Sequence, residues 1–183
     1  MIENENEYID ILMNSKNQSL RVHTVKRIKD QEMLKHLALN DDDYLIRRKA
    51  VKRLKNEEVI KRVAMEDKDY SVRLTAIDMI SDEDVLFDII KKDKDASVRQ
   101  KAILKLFKKE YLKYAALNDK DYTNRIIAID KIDDEKDLSI IYDLEKDSRV
   151  KFKITEKIKN EYILRDIVIK ELDFGIRYHV ISL

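Results

Sequence analysis

Arg21, Arg47, Arg73, Arg99, Arg125, Lys151 and Arg177 recur at a constant step of 26 residues, with no insertion or deletion between them. A fixed period of this length marks one supersecondary unit repeated in a row, which narrows the fold before any other feature is weighed. Other columns keep the same register. Four residues before the basic position stand Asn17, Asp43, Asp69, Asp95, Asp121, Asp147 and Asp173. One residue before it come Leu20, Ile46, Val72, Val98, Asn124, Val150 and Ile176, and three after it Thr24, Ala50, Ala76, Ala102, Ala128, Ile154 and Val180. Seven after it the residue is Ile28, Leu54, Ile80, Leu106, Ile132 or Ile158. Apolar positions at −1, +3, +4 and +7 trace one face of an α-helix.

A second apolar stripe fits in the remainder of each unit. Leu34, Ile60, Leu86, Leu112, Leu138 and Leu164 stand 13 residues after the basic position, followed by pairs such as Leu37 with Ala38 and Ala115 with Ala116. Each unit therefore reads as helix, tight corner, helix. The aspartate column directly precedes the second helix, where a carboxylate accepts from unpaired N–H groups. Asp30, Asn56, Asp82, Asp134 and Asn160 hold the matching place before the first helix. The expectation is an all-α chain, one domain over 1–183, built from seven antiparallel helix pairs. The predicted helices lie near 4–14, 18–29, 31–39, 44–55, 57–65, 70–80, 83–92, 96–107, 109–117, 122–132, 135–144, 148–159, 161–169 and 174–182. One helix pair cannot bury enough apolar surface to fold alone, so each must stack on its neighbours.

Composition agrees. Proline is absent and glycine occurs once, as Gly175, which disfavours hairpin-rich sheets. There is no cysteine, so thiol nucleophiles and thiolate metal sites are excluded. No apolar run approaches the roughly 20 residues that span a bilayer, and the acidic first residues lack the order of a signal peptide. A cytoplasmic protein is expected, with no membrane contact.

The runs Asp67-Lys-Asp-Tyr-Ser-Val-Arg73-Leu-Thr-Ala76-Ile and Asp93-Lys-Asp-Ala-Ser-Val-Arg99-Gln-Lys-Ala102-Ile resemble the HEAT-repeat signature. The resemblance extends over essentially the whole chain, in a short 26-residue variety. It implies a right-handed α-solenoid. Most proteins of that family are interaction scaffolds, some bind nucleic acid, and a few branches are enzymes. It also implies that the arginines and the acids six residues upstream of them, here Asp41, Arg47, Asp67, Arg73, Asp93, Arg99, Asp119 and Arg125, form a structural ladder linking neighbouring repeats. A catalytic group has no reason to recur once per repeat.

No catalytic, metal or cofactor site is read from the residues. His23, His36 and His179 fall in different repeats, and none has a second histidine at ligand spacing. The Asp-x-Asp corners lack the glycine and closing glutamate of a calcium loop. Binding is the stronger reading. The outward positions of the second helix carry +3 in the first repeat, from Lys26, Arg27 and Lys29 beside Val22 and His23. In the second repeat Arg48, Lys49, Lys52, Arg53 and Lys55 give +5. Farther along, Leu74, Leu104, Ile126, Ile127 and Phe152 occupy outward positions, where apolar surface suits a protein contact. The expected function is a non-enzymatic scaffold that binds a protein partner along its second helices. The alternatives are nucleic acid on the basic second helices of the first two repeats, and an enzyme or enzyme subunit without a recognised motif. Oligomeric state is left open by the sequence.

Overall fold

The computed structural model describes residues 4–182, and among them it contains fourteen α-helices and no strand. In order these are α1 (Glu5–Asn14), α2 (Gln18–Val25), α3 (Gln31–Asn40), α4 (Tyr44–Val51), α5 (Glu57–Glu66), α6 (Tyr70–Ile77) and α7 (Glu83–Lys92). There follow α8 (Ala96–Lys105), α9 (Lys109–Asn118), α10 (Tyr122–Asp130), α11 (Glu135–Leu144), α12 (Ser148–Lys157), α13 (Glu161–Lys170) and α14 (Phe174–Ser182).

The chain divides into two compact units, Met1–Ile89 and Ile90–Leu183. In the first, α1 packs on α2, α3 on α4 and α5 on α6, while α2, α4 and α6 pack in series and α3 lies on α5. The second unit repeats the plan: α9 on α10, α11 on α12, α13 on α14, with α8, α10, α12 and α14 in series and α9 beside α11. Consecutive helix pairs in two layers are the arrangement of an α-solenoid.

The columns of the sequence are the core. Ile46, Val72, Val98 and Val150 are fully buried, as are Ala50, Ala76, Ala102 and Ala128. A methyl group at the +3 position lets the helices approach closely, and larger aliphatics fill the space beside it. Asn17, Asp43, Asp69, Asp95, Asp121 and Asp147 each accept a backbone N–H in the first turn of the second helix. Asp30, Asn56, Asp134 and Asn160 do the same for first helices.

The second helices end earlier than the periodicity predicts, at Val25, Val51, Ile77, Lys105, Asp130 and Lys157. The chain then tightens into turns with shorter loops, for example Arg27 N–H to the Thr24 carbonyl at 2.8 Å and Arg53 N–H to Ala50 at 2.9 Å. That tightening turns Ile28 and Leu54 into the core although they lie outside the helix. First-helix bounds differ by no more than one residue from expectation.

Candidate binding surface

The basic column is a ladder between successive repeats. Arg47 meets Asp67 with two parallel bonds, Nε to Oδ2 at 2.8 Å and Nη2 to Oδ1 at 2.9 Å. Arg99 meets Asp119 in the same way, at 2.9 and 2.8 Å. Arg125 bonds Glu145 at 2.7 Å, Lys151 bonds Glu171 at 2.8 Å, and Arg21 bonds Asp41. Each cation thus reaches the acid 20 residues on, in the following repeat. The guanidinium also donates back to its own corner: Arg47, Arg73, Arg99 and Arg125 all bond the carbonyl six residues upstream. Two hydrogen bonds to one carboxylate and one to a carbonyl satisfy a buried planar cation.

The charge states follow. The Asp67 hydrogen bonds outweigh burial and raise the Arg47 pKa, and Asp119 does the same for Arg99. Burial works against the ionised Glu171, but the Asp173 N–H, Lys151 and Tyr142 overcome it and hold the carboxyl down at about 2. Burial also opposes ionised Glu145, and the Arg125 hydrogen bonds, with two backbone N–H groups, keep it below the ordinary carboxylate range. These ladder groups are engaged by one another, by the backbone of their corners and, at Glu171, by Tyr142.

A second set of ties escaped the sequence reading. Arg53 donates Nε and Nη2 to the Ile28 carbonyl, at 3.2 and 2.8 Å. Lys131 Nζ donates to the Leu104 carbonyl at 2.7 Å, and Lys157 Nζ to Ile129 and Asp130 at 3.0 and 2.6 Å. All three stand six residues after the ladder position, and each reaches the end of the preceding repeat's second helix. A cation there satisfies orphan carbonyls and meets the negative end of the helix dipole. The signal was visible as the column Arg27, Arg53, Lys105, Lys131, Lys157. Arg53→Ala should cost about 1–2 kcal/mol in urea unfolding, while Lys52→Ala beside it should stay within about 0.5 kcal/mol. Equal effects would contradict a bracing role for Arg53.

The remaining basic candidates lie on two neighbouring helices. His23, Lys26, Arg27 and Lys52 are exposed, and Arg48 and Lys49 are half-buried. No acidic residue occurs from Gln18 to Lys29 or from Tyr44 to Lys55. Among the described residues, Lys26, Arg27, Lys29, Lys49, Lys52 and Lys55 form no ion pair, and Arg48 lies 6.0 Å over the Tyr44 ring. The first helices of the same unit differ. Lys35 pairs with Glu32 at 3.5 Å, Lys61 with Glu58 and Asp82 at 3.3 and 3.2 Å, and Arg62 with Glu66 at 3.0 Å. Within this unit, uncompensated positive charge therefore gathers mainly on α2, α4 and the turns that follow them.

The apolar candidates do not form one open patch. Leu104 and Phe152 are exposed, whereas Leu74, Ile126 and Ile127 are half covered. A helical wheel points these three outward, but packing of second helices side by side covers them in part. Phe152 stacks on His179, with ring centroids 3.9 Å apart. His36 is exposed and bonded within its own helix to Asn40.

No helix among the described residues is long and apolar enough to cross a membrane. No family model and no curated protein matches this chain.

Proposed function

We propose that the chain is a non-enzymatic, HEAT-like scaffold of the cytoplasm that binds a protein partner on its second helices, and that the partner lays an acidic segment across α2 and α4. The observation that carries this reading is the contrast between layers. Lysines and arginines of α3 and α5 have carboxylates beside them, whereas, apart from the ladder residues Arg21 and Arg47, those of α2, α4 and the turns after them do not. Clustered cations without counter-charges raise the local potential and attract a complementary chain. The flexible stems of Lys26, Lys52 and Lys55 adapt to a run of carboxylates, while half-buried Arg48 and Lys49 give fixed points.

A poly-glutamate peptide, followed by fluorescence anisotropy at low salt, is the direct probe. Combined Arg48→Glu, Lys49→Glu and Lys52→Glu should weaken binding by about tenfold or more. Reversal of Lys35 and Arg62 on the first helices should leave it unchanged. A phosphate backbone would meet the same cations. Mixed-sequence RNA or DNA that binds more tightly than the peptide, and is lost in the same triple variant, would replace the protein reading with a nucleic-acid one. If neither probe binds, the surface has no polyanion function. Ile126 and Ile127 are poor probes of a protein contact, since aspartate at either half-covered position would disturb packing as well.

A further inference from the structure

We propose that the chain associates head to tail with a second copy of itself, α1 and α2 of one copy seating on α13 and α14 of another in the register that joins repeats within the chain. The first and last repeats expose residues that every internal repeat buries. At the +4 position Val25, Val51, Ile77, Ile103 and Ile129 are fully buried, but Ile181 is 70% exposed. At the −1 position Ile46, Val72, Val98 and Val150 are fully buried, but Leu20 is 43% exposed. Ile181 lies in an open groove of ≈ 430 Å³ with Leu164, Val168, Ile169 and Arg165. Leu34 and Ala38, the equivalents of Leu164 and Val168, are fully buried in their repeat.

Charge selects the occupant. At one internal step the residue 14 after the ladder position and the residue 12 after the next are of opposite sign, Lys113 and Asp137, and they form an ion pair. The same step taken from α13 starts at Arg165, which is exposed and has no partner among the described residues. It lands on the place that Glu7 holds in α1, and Glu7 is likewise exposed and unpaired. Helix α1 carries Glu5, Glu7 and Asp10 and no basic residue. A second tie falls in the same register. Arg27 is unpaired at the position from which Lys131 and Lys157 reach the preceding repeat, and the carbonyls equivalent to their acceptors are those of Ile181 and Ser182. The ladder step from Arg177, also unpaired, meets Ser15, a hydroxyl where internal repeats present a carboxylate. This rung is weaker than the internal ones, so the contact is reversible. It is also heterologous, joining two different faces of the chain.

Sedimentation velocity over rising concentration tests this. The wild-type chain should form larger species as concentration rises, while Glu7→Arg alone and Arg165→Glu alone should associate about tenfold more weakly or less. Both positions are exposed, and unchanged circular dichroism serves as the folding control. A one-to-one mixture of the two variants should recover wild-type association, because each junction then joins opposite charges. A wild type that stays monomeric, variants that associate as well as wild type, or a mixture that does not recover would each overturn the proposal. Loss of association on Ile181→Asp but not on Glu7→Arg would also overturn it, in favour of two α13–α14 faces meeting symmetrically.

Discussion

Replacing Asp119 by alanine should lower the free energy of unfolding by about 3–5 kcal/mol, the range for leaving one member of a buried ion pair uncompensated. The Asp119 side chain is wholly shielded, and Arg99 opposite it is 8% exposed. Its carboxylate receives two bonds from Arg99, a third from Asn124 Nδ2 at 3.3 Å, and the Asp121 N–H at 2.9 Å. Alanine removes all four acceptor contacts and strands the guanidinium in a site from which water is excluded. Asp166→Ala provides the contrast. Its pair with Lys170 spans one helical turn in solvent and should contribute less than about 0.5 kcal/mol. Urea denaturation of both variants reads the difference. Similar losses at the two sites would show that burial does not set the strength of the ladder.

Ile129→Ala should cost about 2–5 kcal/mol, through lost transfer energy and the cavity left behind. Ile129 is fully buried, on α10, which packs between α8 and α12. The same substitution at Ile181, two repeats later in the same column, should change the monomer's stability by less than about 0.5 kcal/mol, because that side chain faces water. Thermal unfolding at low protein concentration compares them. The pair separates residue type and helix position, which are identical, from the covering neighbour, which is not.

The fold was legible because one side-chain pattern recurs seven times, so chance apolar spacing in one helix is corrected by the other six. The early ends of the second helices were not. No glycine or proline stands there, and the last turn is closed by backbone bonds that periodicity does not register. Asn124 sits in an otherwise aliphatic column and is fully buried. Its Nδ2 reaches the Ala96 carbonyl and Asp119, an exchange of packing for hydrogen bonds that the column average hides.

The candidate surface was legible only in part. Counting outward charges located α2 and α4, but placed Arg53 among free cations when its guanidinium braces the preceding repeat. A long side chain can lie back along its neighbour, and sequence spacing fixes where it starts rather than where its charged end rests. Leu74, Ile126 and Ile127 fell to the complementary error. A wheel drawn on one helix omits the helices beside it.

The most direct measurement is a double-mutant cycle between Arg99 and Asp119, each changed to alanine singly and together. A ladder that joins one repeat to the next through this contact predicts a coupling energy of about 2–3 kcal/mol, with the double variant far less destabilised than the sum of the singles. Single-variant losses that simply add would mean that the two side chains act independently and that the 26-residue period is not held together by these rungs.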